Sequence, residues 1–100
     1  MTVESRLSND GGVLTIKVSD TFNFALQQDF RNSYKDVIDA SQIKLDLSMT
    51  SYMDSSSLGM LLLLKEHADK YKIRIEITNP SEPIRRILET ANFDKIFPIS

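Results

Sequence analysis

The sequence contains no cysteine, so it can form neither a disulfide framework nor a thiolate metal site, and a reducing compartment is the expected setting. It also has no long apolar run. Leu58 to Leu64 is the longest apolar stretch, far short of the roughly 20 residues a membrane-spanning helix needs. The opening MTVESRLSND lacks the apolar centre of a secretory signal. A cytoplasmic protein is expected, with no membrane span. Neither sign of charge dominates: 12 basic against 14 acidic residues leave a net charge of −2, which offers no footprint for a phosphate backbone and argues against direct contact with nucleic acid. The nucleotide-binding patterns G-x-x-x-x-G-K-[ST] and G-x-G-x-x-G are absent, as is the G-x-S-x-G nucleophile elbow. Arg85 and Arg86 read as a solvated helix face, not a phosphate clamp. No cofactor and no metal site is expected.

What is present suits one globular domain spanning residues 1–100, with 41% hydrophobic and 26% charged residues. Leu14, Ile16 and Val18 alternate with Thr15 and Lys17 as in a half-buried strand. The turn-forming SNDGG ahead of them makes Thr2 to Leu7 the other arm of a hairpin. From Phe24 to Asp39, the residues Phe24, Leu26, Phe30, Tyr34, Val37 and Ile38 recur at helical spacing. Gln42 to Leu47 alternates again and runs into a polar loop, SMTSYMD. A second helix is expected at about Ser56 to Tyr71 and a strand at Ile73 to Ile77. A third helix follows NPSEP, with Ser81 as its cap and Pro83 in its first turn. The order β-β-α-β-α-β-α implies parallel strands joined by right-handed crossovers. Because the strands alternate, one face of the sheet is covered, giving a two-layer α/β sandwich.

The segment YMDSSSLGMLLLLKEH, Tyr52 to His67, places three serines at the start of the second helix. At about 100° per residue, Ser57, Met60, Leu61, Leu64, Ala68 and Tyr71 share the core side. Ser55, Gly59, Leu62, Glu66, Asp69 and Lys70 lie opposite, with Leu58 and Lys65 on one flank and Ser56 and Leu63 on the other. Leu58, Gly59 and Leu62 thus make a small apolar patch outside the core, either covered by loops or open to a partner. Asp54 or Ser55 can cap the helix. Nucleophilic catalysis is not expected. His67, the only histidine, lies about 16 Å along the helix from Ser56, whereas a general base must come within about 3 Å. A serine at a helix start can instead be modified by another enzyme, because a phosphate there meets free amides and the positive end of the helix dipole. The helical wheel excludes Ser57 as that acceptor and leaves Ser55 and Ser56 open.

The strand IKLDLS, its loop, and MDSSSLGMLLLL resemble the signature of STAS domains, specifically the bacterial anti-sigma factor antagonists, whose second helix opens on Asp-Ser-Ser/Thr-Gly-Leu-Gly. IRIEITNPSEPIRRILETANFDKIF is similar to the family's next strand, Asn-Pro turn, third helix and aromatic tail. The resemblance implies a STAS-like sandwich with a mixed, mostly parallel sheet and helices on one face. It also implies a protein with no catalysis of its own, phosphorylated on Ser56. The implied partners are a serine kinase of the histidine-kinase-like ATPase fold that doubles as an anti-sigma factor, bound when Ser56 is unmodified, and a metal-dependent serine phosphatase. Wheel and resemblance together give a partner-contact set of Asp54, Ser55, Ser57, Leu58, Gly59 and Leu62, with Asn23 from the DTFNF stretch. An alternative within the family is a regulatory or structural subunit of a lipid or anion transport complex, in which the acceptor serine has no task. Two departures stand out: Ser57 replaces the family's glycine, and DTFNF replaces its usual Gly-x-Leu-Asp.

Overall fold

Strands β1 (Thr2–Leu7) and β2 (Val13–Phe22) form an antiparallel hairpin in the computed structural model, which describes residues 2–100. SNDGG makes the turn as its chemistry demands: the Asp10 carboxylate accepts from the Ser8 hydroxyl at 2.7 Å and the Gly12 amide at 2.9 Å, while Gly11 takes φ 75°. The chain continues through α1 (Gln27–Tyr34), β3 (Gln42–Asp46), β4 (Thr50–Met53), α2 (Ser55–Lys70), β5 (Arg74–Thr78) and α3 (Glu82–Thr90). The sheet runs β1-β2-β3-β5, with β2, β3 and β5 parallel. Leu14, Ile16, Val18, Ile43, Leu45 and Ile77 turn one face into the core beneath the helices. Thr15, Lys17, Lys44 and Glu76 on the other face stay partly exposed, so the two-layer expectation holds.

Two elements differ from the reading of the sequence. The first helix is shorter than residues 24–39. It opens with a 3-10 turn at Phe24–Leu26, where the Asn23 side chain accepts from the Ala25 amide, and it ends at Tyr34. Phe24 is 63% exposed and Ile38 51% exposed, so the ends of the apparent stripe lie outside the core. After Tyr34 the chain has to reach the foot of β3, where the Ser41 amide and hydroxyl both bond the Gly12 carbonyl at 2.8 Å. The second difference is β4, which occupies the segment read as a polar loop. Its burial pattern, with Thr50 and Met53 inside and Ser51 and Tyr52 outside, has no period of two. It pairs nonetheless: the Asp20 amide donates to Met49 O at 2.9 Å, and the Thr50 hydroxyl donates to Val18 O at 2.7 Å.

β4 therefore continues along the edge of β2 that β3 occupies, after an irregularity at Asp20, whose φ is 65°. This extension carries the chain to the C-terminal end of β2, where Phe22 pairs with Met53. The chain after β5 ends beside that strand, with Ile77 N donating to Pro98 O at 2.9 Å and Ser100 N to Ile77 O at 3.0 Å. Ser81 holds the position before α3 through its backbone alone, without the side-chain bond expected of a cap. Among the described residues no helix is long and apolar enough to cross a membrane.

Candidate functional site

α2 starts where β4 stops, and Asp54 makes the junction. Its backbone is extended (φ −109°, ψ −178°), and its carboxylate accepts from the Ser57 amide at 2.9 Å, an N-cap. The same oxygen, Oδ1, accepts from the Ser56 hydroxyl at 2.7 Å. The Ser57 hydroxyl turns back to the Asp54 carbonyl at 2.6 Å. The three serines thus occupy different environments. Ser55 is exposed and is the first helical residue, Ser56 is half-buried at the rim, and Ser57 is 0% exposed.

Asp54 alone caps the helix; no cap bond goes to Ser55. Ser57 presents no surface to a partner and contributes to the expected contact set only through the amide that holds Asp54. The wheel's core side is as expected for Ser57, Met60, Leu61, Leu64 and Ala68, with Tyr71 half-buried. Gly59 is exposed and Leu62 is 44% exposed, so this part of the apolar patch is open. Leu58 instead leans towards α3, half-buried, lining a shallow groove with Ile87, Thr90 and Ala91. Leu63, on the Ser56 flank, is exposed as well.

The pairing of Phe22 with Met53 brings the residues that follow, Asn23 and Asp54, to the same end of the sheet. Neighbouring strands run about 4.8 Å apart, so Asn23 belongs to the same surface as the start of α2. This register brings in two residues that the sequence reading missed, exposed Phe24 and exposed Tyr52. The helical stripe takes in Phe24 and the polar loop takes in Tyr52, yet Phe24 stands in the 3-10 turn after β2 and Tyr52 in β4, both facing outward. His67 is far from this end in a structural position. Its ring lies between Tyr34 and Tyr71, with centroids 5.0 and 4.9 Å away, and its Nε2–H donates to Val37 O at 2.7 Å.

The Ser56 hydroxyl, and after it the Ser57 amide, hold the Asp54 carboxyl below the usual carboxylate range. A folded-state pKa below the unfolded one gives stabilisation that is complete above the unfolded pKa and disappears as pH falls through the folded one. Asp54→Asn keeps a cap acceptor without a charge. The stability difference between the native chain and this variant is therefore expected to shrink below about pH 4, measured as Tm by far-UV circular dichroism across an acid series. Parallel curves would contradict the assignment.

Residues 5–100 match the STAS domain family. A STAS-domain containing protein of Pseudomonas aeruginosa (strain UCBPP-PA14) is 42% identical over 101 residues, with both chains covered in full. Among solved structures, the anti-sigma factor antagonist SpoIIAA in its unphosphorylated form superposes with TM-score 0.84 at 16% identity, covering 99% of this chain and 88% of that one. The phosphorylated form of the same Bacillus cell fate determinant gives TM-score 0.76 at 16% identity, covering 99% and 91%. A sulfate transporter family protein from Wolinella succinogenes gives TM-score 0.77 at 12% identity, covering 90% and 79%.

Proposed function

The chain belongs to the STAS domain family, and from that premise we propose that it is a phosphorylation-switched binding module of the anti-sigma factor antagonist kind. Ser56 is the acceptor. Unmodified, the domain docks a serine kinase of the histidine-kinase-like ATPase fold that also acts as anti-sigma factor. Phosphorylated, it lets go, and a metal-dependent serine phosphatase resets it. The domain performs no catalysis itself.

One observation carries this reading: the Ser56 hydroxyl sits at the rim of α2's first turn, 2.7 Å from the Asp54 carboxylate and on a helix that also presents exposed Leu62. An acceptor hydroxyl has to be reachable, and its modified form has to be tolerated by the fold. Ser56 meets both needs, because a phosphate at a helix N-terminus finds unsatisfied amides and a favourable dipole. Ser57 meets neither, being enclosed. The fold shared with both forms of SpoIIAA supports the same reading. In a subunit of a transport complex the Ser56 hydroxyl would have no task beyond its bond to the cap carboxylate of Asp54.

The direct test is peptide mass spectrometry of the protein isolated from its host. One phosphate on the peptide containing Ser56, localised to that residue and lost in Ser56→Ala, is the expected result. Protein that stays unmodified throughout growth and stress, or that carries phosphate on Ser55 alone, would overturn the assignment.

A further inference from the structure

β1 is an edge strand, paired with β2 on one side only. The Ser8 amide donates to Val13 O at 2.8 Å across the hairpin, and Leu7 stands opposite Leu14, Ser5 opposite Ile16 and Val3 opposite Val18. Because backbone groups in an antiparallel ladder alternate in direction, Thr2, Glu4, Arg6 and Ser8 turn their amides and carbonyls to β2. Val3, Ser5 and Leu7 turn theirs to the open side. The side chains alternate too: Val3, Ser5 and Leu7 lie on the helix-bearing face, while Glu4 and Arg6 lie on the other. All of these except half-buried Val3 are exposed, Leu7 to 49%.

We propose that this edge is a homodimer interface, in which β1 pairs antiparallel with β1 of a second copy about a twofold axis through Ser5. In that register Ser5 faces Ser5 of the partner subunit and Val3 faces the partner's Leu7. All of these are residues whose free amides and carbonyls point outward, so the ladder closes with every edge group from Val3 to Leu7 satisfied. The same register sets Glu4 opposite the partner's Arg6, twice. These fall at the non-hydrogen-bonded positions, where cross-strand side chains come closest. Among the described residues neither Glu4 nor Arg6 has an ion-pair partner within its own chain. Exposed Leu7 gains an apolar neighbour in the partner's Val3.

Charged side chains ordinarily guard an edge strand against pairing, but charges of opposite sign that meet across a twofold axis attract instead of repelling. Here VESRL, residues 3–7, carries one charge of each sign placed symmetrically about its centre, which suits a second copy of this chain. The helices of both copies would lie on the same face of one continuous sheet. The start of α2 follows β4 on the opposite edge of β2, so the dimer leaves Ser56 free, and the proposal is independent of the switch.

Sedimentation velocity on the chain without an N-terminal tag is expected to show a concentration-dependent dimer. Arg6→Glu and Glu4→Arg, each of which opposes like charges, are expected to raise the dissociation constant about tenfold or more. The double variant Glu4→Arg/Arg6→Glu restores the native value. Ser5→Pro removes an outward amide without touching the bonds to β2 and is expected to give a folded monomer by circular dichroism. A native chain still monomeric at about 1 mM, or a dimer indifferent to both charge reversals, would overturn the proposal.

Discussion

Ser57→Asp is expected to destabilise the fold by several kcal/mol, whereas Ser56→Asp, one residue earlier, is expected to leave its stability nearly unchanged. Ser57 is wholly enclosed, and its hydroxyl is a donor to the Asp54 carbonyl at 2.6 Å. Aspartate at that position brings a second carboxylate against the cap carboxylate and carbonyl of Asp54 and replaces a donor by acceptors. A buried charge without a partner costs on the order of 3–5 kcal/mol. That is a large part of the roughly 5–15 kcal/mol that holds a typical domain together. Ser57→Ala removes only the hydroxyl bond and should cost about 1 kcal/mol. Ser57→Gly, which restores the residue usual in the family, should cost about 1 kcal/mol more through backbone freedom within the helix. Urea unfolding followed by far-UV circular dichroism checks the series, since the chain has no tryptophan to report by fluorescence. A stable, soluble Ser57→Asp protein would show that position 57 is open to solvent.

The contrast between these neighbouring serines is legible in the sequence, because a helix of 3.6 residues per turn fixes which positions share a face once the apolar residues are known. Met60, Leu61, Leu64 and Ala68 define the core side of α2, and Ser57 falls among them. The same periodicity misled at Phe24 and Ile38. Their spacing fits the stripe of Phe30 and Tyr34, but spacing carries no information about where a helix stops. That was decided by Asn23 at one end and by the tie of Ser41 to Gly12 at the other.

β4 was illegible for a different reason. Thr50 is buried because its hydroxyl bonds the Val18 carbonyl, 32 residues away in sequence, and Ser51 and Tyr52 both face out. A strand held by main-chain pairing and one satisfied hydroxyl leaves no apolar alternation to read. Its position matters for the site, since the register of β4 on β2 is what sets Asn23 beside Asp54 and exposes Tyr52 near the start of α2. The acceptor could be narrowed to Ser55 or Ser56 from the residues alone. The choice of Ser56 comes from the family resemblance; in the structure its hydroxyl, unlike that of Ser55, is bound to the cap carboxylate.

Phosphorylation of Ser56 is expected to weaken binding of the kinase/anti-sigma partner at least about 100-fold, from like-charge contacts that cost several kcal/mol in a closed interface, while changing the domain's own Tm little. In the unmodified protein the Ser56 hydroxyl is a donor to Asp54 at 2.7 Å. The phosphate carries about −1.5 to −2 charges near neutral pH, so a carboxylate repels it from the place the hydroxyl held. It has to swing outward, towards the free amides of the first turn and across the surface that a partner would cover. The helix end offsets the local repulsion, which is why the fold survives; a partner packed on Leu62 has no comparable compensation. Isothermal titration of the partner with the native chain, Ser56→Ala and the phosphorylated chain separates the effects. Native and alanine forms should bind alike, and only the native form should be released by kinase and ATP. Ser56→Asp, with a smaller and less charged group, should fall between. Equal affinity of all these forms would mean that Ser56 does not control the interface.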